Sequence, residues 1–496
     1  MNLLEVFLPI VSFIVFSLLT IPVTNIAGGK RRKSMIMLSW FIVIFTVTSI
    51  FVANLVAEYY AQMEKEPFLN LTFSRGLNVI FSSTFMIDAV SIYMAIIFTV
   101  VSAITLLYSL FYIDAREPLS GRYYALMLLI TACVIGACFS GDFLTLFIFW
   151  EASAVGSGFL MLYKESPRSI HATLKYLIMI IIASAFIVYG LSIIYGLAGT
   201  LNFWAVKQIL MSLKDKHLFI LSFIFMATGY AIESAIVPFH MWLPDAYTAA
   251  PASSSAFLSA LVDQGSYYVL LRILVYILTP PTILDWRIVL AFLSIFSMIL
   301  GNLLALIEHN IKRLIAYVCI ADVGYNLIAI TSVTPLGVMG NLYFFLVGGL
   351  TTALSFMTVG ILNNIGIKTL GDLSGIGRKM PLTSLALLTG AFSFSGFPPF
   401  AGFFAKYLVF TAAIEAGLSW LAIVGVLTSI VQAAYFLRLV NYMFAKKTRR
   451  RGELSEPKNL LIPVFMLTIM IIFLGIYPTI ILELIKPVVQ QITLII

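Results

Sequence analysis

The chain has 496 residues, 61% of them hydrophobic and only 10% charged, against roughly 25% charged in an ordinary soluble domain. With a mean hydropathy of +1.04, it has too little polar surface for a water-soluble globule and reads as an integral membrane protein. Formal net charge is +8, but the basic residues stand in short clusters between apolar runs, as at 30–33 and 446–451, so their expected partners are lipids of the cytoplasmic leaflet rather than nucleic acid.

A bilayer core near 30 Å takes about 20 apolar residues per helix. In chain order that ruler marks spans at 3–26, 35–57, 87–113, 121–140, 142–163, 172–197, 218–248, 252–278, 286–307, 312–333, 336–365, 382–416, 418–444 and 459–484. The expectation is an all-α membrane protein of about 14 helices. The first span lacks a basic segment before it, so it is expected to stay in the mature protein as a helix. Residues 65–84 mix Pro67, Asn70, Thr72, Ser74 and Arg75 with apolar residues, the pattern of an external loop or hairpin. Cys133, Cys138 and Cys319 lie singly inside apolar runs, a spacing that gives neither a metal site nor a disulfide.

Charge tests this division. Twenty of the thirty Lys and Arg lie in or beside the loops that follow odd-numbered spans, and seven in the other loops and tail. The positive-inside rule then makes the odd loops cytoplasmic and puts both termini outside. Two spans are too long and contain prolines: Pro238 and Pro244 in the seventh, Pro398 and Pro399 in the twelfth. Proline removes a backbone donor and breaks a helix, which is tolerated at membrane depth only where protein or a water-filled cavity covers the freed groups. Breaks five spans apart point to an internal repeat, spans 4–8 and 9–13, of the kind that builds ion sites in transporters.

Ionisable groups at the bilayer centre cost roughly 2.5–3.5 kcal/mol each and are functional candidates by default. Here they are Glu151, Glu233, Asp263, Asp322, Lys406, Arg272 and Arg438, with His240 beside a break. Glu233 precedes Pro238 by five residues and Lys406 follows Pro399 by seven. Any one of these could be a structural ion pair, Arg272 and Arg438 above all, and His240 could be a packing residue. Asp142 and Asp245, at helix ends, are expected to be solvated or to cap. Together with two broken helices, the set suits a proton or cation relay, and no catalytic constellation competes with it.

At these residues the sequence resembles the antiporter-like subunits shared by Mrp-type sodium/proton antiporters, respiratory complex I and membrane-bound hydrogenases, most closely the D-type Mrp subunit. The resemblance covers nearly the whole chain and is carried by GDFLTLFIFWEA (141–152), YGLSIIYGLAGTLNF (189–203), PFHMWLPDAYTAAP (238–251), IKRLIAYVCIADVGY (311–325), GDLSGIGRKMP (371–381) and SGFPPFAGFFAKY (395–407). It implies fourteen helices in a single polytopic domain: N-terminal helices and external loop over 1–113, two inverted five-helix repeats over 121–278 and 286–444, and a last helix at 459–484. It also implies that the chain lacks the long lateral helix of the distal complex I subunit.

Residue by residue, Glu151 matches the family's fifth-helix glutamate and Lys406 its twelfth-helix lysine. Three amines are missing: the seventh-helix lysine is Glu233 here, the eighth-helix lysine aligns with Gln264 beside Asp263, and the eleventh-helix lysine falls near Thr352. If Glu233 faces Glu151, two carboxylates share a poor dielectric and can hold one proton or a cation between them. The resemblance implies a subunit of a multisubunit complex that moves protons or exchanges sodium for protons in the cell membrane. A redox-driven assembly of the hydrogenase or complex I type comes first, an Mrp-type antiporter second, and a structural or coupling subunit with an interrupted path stays open. The chain is expected to bind no cofactor, with iron–sulfur or nickel–iron centres on its partner subunits, and has no catalytic centre of its own.

Overall fold

Lipid offers the backbone no hydrogen-bond partner, so a chain this apolar satisfies itself as helices. The computed structural model describes residues 3–26, 30–62, 69–73, 83–114, 117–163, 166–213, 216–278, 285–445 and 455–493, and most of them are helical. Helices α1 (Leu3–Ile26) and α2 (Lys30–Gln62) lead to an antiparallel pair of strands, β1 (Leu69–Phe73) and β2 (Ser83–Ile87), with Leu69 opposite Ile87 and Phe73 opposite Ser83. This is the hairpin expected between the second and third spans. The basic cluster at 446–451 lies outside the described residues.

Next come α3 (Ala89–Tyr112), α4 (Ser120–Phe139), α5 (Phe143–Met161) and α6 (Pro167–Ala198). A short helix not expected from the sequence, α7 (Phe203–Ser212), precedes α8 (His217–Glu233) and α9 (Leu243–Ala249). The stretch 252–278 is α10 (Ala252–Phe257), a π turn, α11 (Asp263–Leu271) and a second π turn. The second half contains α12 (Trp286–Ile307), α13 (Ile311–Ser332), α14 (Pro335–Asn364), α15 (Pro381–Ser395), α16 (Ala401–Glu415), α17 (Ser419–Phe444), α18 (Lys458–Ile476) and α19 (Thr479–Thr493). Among the described residues, twelve helices are long and apolar enough to cross a membrane, and α8 and α15 are shorter apolar segments. The protein is an all-α integral membrane protein.

The helix starts follow from short polar residues that accept from the free N–H groups of a first turn. Asp88 caps α3 and Ser166 caps α6, each in a reciprocal capping box, while Asn310 and Thr334 cap α13 and α14. Asp142, expected at a helix end, caps α5 through Thr145 but is not solvated. It is buried, and its Oδ2 also accepts from the Thr84 amide at 2.7 Å. The span expected over 459–484 ends at Ile476, because the chain turns at Tyr477 and Pro478 before the amphipathic α19.

Burial sorts the helices into layers. The apolar stretches of α13 and α14 are entirely enclosed and 252–275 is 94% so, against 28% for α2 and 33% for α6. The centre is therefore α13, α14 and the π-bulged helix, and α2, α6, α12 and α17 face outward. Close helix approach relies on small residues: a Cβ on Gly301 of α12 would lie 2.6 Å from the Ala321 amide of α13, and one on Gly324 would lie 2.7 Å from the Ser294 carbonyl.

Both long spans are broken, and each is a pair of helices. After α8 the chain turns through Ala235, at φ +52°, into a 3-10 turn over Phe239–Trp242. The freed groups find partners: Ser297 Oγ of α12 accepts from the Val237 amide at 3.1 Å, and Trp242 Nε1 donates to the Ile232 carbonyl at 3.0 Å. Pro238 sits in this break, whereas Pro244 is the second residue of α9, where a missing N–H removes nothing from the ladder. The second break, 396–400, holds Pro398 and Pro399 and begins at Gly396, whose φ of +73° suits a residue without Cβ. There the helices touch through Gly402, where a Cβ would fall 1.7 Å from the Ser393 carbonyl.

Arg272 makes a buried ion pair. Its Nη1 lies 2.6 Å from Asp88 Oδ2, joining the cap of α3 to the central helix. Removing one member of such a pair leaves an uncompensated charge and costs about 3–5 kcal/mol. Asp88→Asn and Arg272→Met should each lower the detergent-solubilised melting temperature sharply, while the double variant loses less than the sum of the two, as a double-mutant cycle of thermal melts would show. Gly402→Val should eliminate the monodisperse species on size exclusion. Gly196→Ala, whose Cβ meets nothing within 4 Å, should be neutral or stabilise by up to about 1 kcal/mol.

Candidate functional site

The candidate residues fall into two clusters, one beside the first helix break and one beside the second. In the first, Glu151 on α5 accepts a hydrogen bond from Ser184 Oγ of α6 at 2.6 Å. Trp150, its chain neighbour, donates Nε1 to Glu233 Oε2 at 2.5 Å. Glu233 is the last residue of α8, so the helix break sets its side chain at the end of a helix inside the bundle. Neither glutamate has a cation within ion-pair distance among the described residues.

Asp263 follows the π turn of the central helix, and Tyr247 of α9 donates its hydroxyl to Asp263 Oδ1 at 2.5 Å. A cavity of about 20 Å³ lies between Glu233 and Asp263, walled by Trp150, Tyr176, Trp242 and Val262. That volume accommodates one water molecule. Glu233 Oε1 and Asp263 Oδ2 have no hydrogen-bond partner among the described groups.

Gln264 points the other way. A Cβ on Gly348 of α14 would lie 3.3 Å from Gln264 Nε2, and one on Gly349 3.4 Å from its Cγ, so the amide lies across a pair of glycines that leave it room. Thr352 turns its hydroxyl back to the Gly348 carbonyl of its own helix at 2.9 Å. Its neighbour Thr351 faces inward and shares a hydrogen bond with Ser393 at 2.9 Å.

On the far side of Gly348 lies the second cluster. Asp322 of α13 and Lys406 of α16 line one cavity of about 10 Å³ together with Gly348, Thr351 and Ser393, at the lower edge of the space one water needs. Lys406 is buried and donates to Gln432 Oε1 at 2.5 Å and Ser429 Oγ at 3.1 Å, with its ammonium 3.9 Å from the centre of the Tyr325 ring. An amine so placed is held by neutral groups and a ring face rather than by direct contact with a carboxylate. Asp322 Oδ1 has no hydrogen-bond partner among the described groups.

The remaining candidates lie outside these two cavities. Arg438 donates to the Glu308 carbonyl at 3.1 Å, and Asp245, expected to be solvated or to cap, forms ion pairs with Lys175 at 2.8 Å and Arg313 at 3.4 Å. His240, in the 3-10 turn, is half-buried and is not among the residues walling the Glu233–Asp263 cavity. The sequence reading overlooked the polar partners: Trp150, Tyr247, Gln432, Ser429 and Asp88. One signal for them was visible, since Thr428, Ser429 and Gln432 interrupt an otherwise apolar span at helical spacing.

Glu233 with Asp263, and Asp322 with Lys406, line cavities of about one water's size beside hydroxyls and interrupted helices, an arrangement that can pass a proton between the members of each pair. The chain is similar to subunits of known membrane complexes. NADH-quinone oxidoreductase subunit N of Trichlorobacter lovleyi is 33% identical over 377 residues, covering 74% of this chain and 76% of that one. F(420)H(2) dehydrogenase subunit N of Methanosarcina mazei is 29% identical over 376 residues, covering 74% and 76%. Among solved structures, a chain of the membrane-bound sulfane sulfur reductase, an archaeal respiratory membrane complex, superposes with a TM-score of 0.87 at 25% identity, covering 98% of this chain and 97% of that one. The family model described as NADH:quinone oxidoreductase/Mrp antiporter, TM, matches residues 140–432, which hold both clusters and both breaks, and the chain belongs to that family.

Proposed function

We propose that this chain is an antiporter-like, proton-translocating membrane subunit of a multisubunit redox complex. The observation that carries the reading is the file of titratable groups, half-buried Glu151 and buried Glu233, Asp263, Asp322 and Lys406, set along the bundle with Gln264 and the glycines of α14 between the two halves. A scaffold has no use for such a file, since each uncompensated charge costs free energy to bury. The relatives named above are subunits of an NADH-quinone oxidoreductase, an F(420)H(2) dehydrogenase and a respiratory sulfur reductase, which favours a redox-driven assembly over a free-standing antiporter.

In this reading Glu151 and Glu233 receive and release protons in the first half, and Asp263 passes them toward the centre. Asp322 and Lys406 do the same in the second half. Gln264 carries no exchangeable charge, so between the halves it orients water rather than storing a proton. Lys406 supplies the remaining amine of the relay, and its neutral cradle leaves it able to give up a proton without breaking an ion pair. Iron–sulfur or nickel–iron centres belong to partner subunits, whose electron transfer drives the cycle.

The topology follows the same logic. Counting each broken helix as one crossing raises twelve spans to fourteen, in two inverted repeats over 121–278 and 286–444. The basic loops then lie on the cytoplasmic side of the cell membrane and both termini outside. A cysteine placed at Lys379 should be labelled by an impermeant reagent only from the cytoplasm and one at Thr200 only from outside. The reverse pattern would sink the orientation.

Transport is tested in the intact complex reconstituted into vesicles. Glu151→Gln and Lys406→Met should each slow redox-driven proton uptake by about tenfold or more, the effect of raising a barrier by ~1.4 kcal/mol, with the complex still assembled. Unchanged pumping in both variants would leave only a structural or coupling role.

A further inference from the structure

Two features of the first cluster are not explained by a relay of glutamate and lysine. Glu233 stands where the family keeps a lysine, and the neighbour it shares a cavity with is Asp263, another acid. Both are 6% exposed, and burying two bare carboxylates side by side with no compensating cation is prohibitive. The titratable groups facing the pair are Glu151 on α5, Tyr176 on α6, Tyr230 on α8, Tyr247 on α9, Tyr267 on α11 and Cys319 on α13. All of them are acids, so none can neutralise the pair.

Hydrogen-bond bookkeeping says which atoms remain. Trp150 Nε1 is a donor only, so Glu233 Oε2 accepts from it, which favours a proton on the other oxygen, Oε1. Tyr247 donates to Asp263 Oδ1, which makes that oxygen an acceptor as well. Each acid is left with one oxygen, Glu233 Oε1 and Asp263 Oδ2, that has no partner among the described groups. Both residues line a cavity of about 20 Å³, the size of a single water.

We infer that Glu233 and Asp263 form an acid–water–carboxylate dyad that holds one proton between them. With the proton on Glu233 Oε1, that O–H donates to the water and the water donates to Asp263 Oδ2. When the proton crosses, Glu233 loses its O–H bond, Asp263 Oδ2 gains one, and the water exchanges one hydrogen for another. Charge and atoms balance, and no redox partner is needed. The Trp150 and Tyr247 donors stay in place in both states, so they fix the two oxygens that exchange the proton. The wall is mostly apolar, with Trp150, Trp242, Leu258 and Val262, and the hydroxyls of Tyr176 and Ser157 donate to the Ala154 and Ser153 carbonyls, which leaves few oxygens for the shell of a metal cation and suits a proton. The dyad does the work of the missing seventh-helix amine as a proton store, and that role rests on the transport reading above.

The test is infrared difference spectroscopy of the purified, resting complex at neutral pH, in H₂O and D₂O. Wild type minus Glu233→Gln and wild type minus Asp263→Asn should both show removal or displacement of the same deuterium-sensitive carboxylic acid C=O band. A band that responds to only one substitution places the proton on one residue and overturns the dyad, as does a band that responds to neither. Where either variant fails to assemble, Trp150→Phe and Tyr247→Phe remove one donor each and keep both acids. Both should shift that band, and a shift in neither overturns the proposal. Loss of the band on adding sodium ions identifies a bound cation in place of the proton and also overturns it. The spectrum is read without turnover, so a shared band in a complex whose pumping ignores Glu151 and Lys406 would support the dyad while overturning the transport reading.

Discussion

The constraint behind this structure is that lipid offers no hydrogen bond, so backbone groups freed inside the bundle must find partners within it. Lipid surrounds the outer helices, and the central ones are enclosed by protein. Each interrupted helix therefore survives only because another element completes it. Ser297 of α12 accepts the amide released at Val237, and Trp242 caps the Ile232 carbonyl. At the second break the closeness of Gly402 to Ser393 brings α15 and α16 end to end with no room for a side chain. From these two supported gaps follow the positions of Glu233 and Lys406, and from those the placement of both clusters.

The same rule decides which charges are structural. Asp88 and Arg272 neutralise one another at 2.6 Å, and Asp245 is shared by Lys175 and Arg313. These pairs tie helices that are distant in sequence. Glu151, Glu233, Asp263, Asp322 and Lys406 make no such contacts with opposite charges. Apart from Asp322, they are held by indole, hydroxyl and amide groups, which orient a side chain without fixing its protonation. A group held that way can change charge as part of its work, whereas a member of a tight buried pair cannot without losing several kcal/mol.

Much of this was legible in the chain itself. Segment length marked the apolar spans, Pro238, Pro398 and Pro399 marked the two breaks, and isolated charges marked residues of both clusters. The misreadings have physical reasons. Pro244 resembles a helix breaker in sequence, but at the second position of α9 its missing N–H is one that no helix uses. Residues 459–484 read as one apolar run, yet Pro478 and the amphipathic character of α19 divide it. The short α7 lay unseen between two spans because ten residues fall below any membrane ruler.

Sequence alone determined the solvent in which the protein lives, because 61% hydrophobic and 10% charged residues leave no soluble arrangement. It also marked two spans that break and the ionisable groups that stand inside apolar segments, since both depend on local chemistry. Only the tertiary structure decided which of those groups meet. Glu233 and Asp263 are thirty residues apart in sequence, yet a break and a π turn bring them to one cavity. Asp322 and Lys406 converge from different helices in the same way. Partnership inside a bundle depends on helix rotation and crossing, and those are set by packing across the whole molecule rather than by any local pattern.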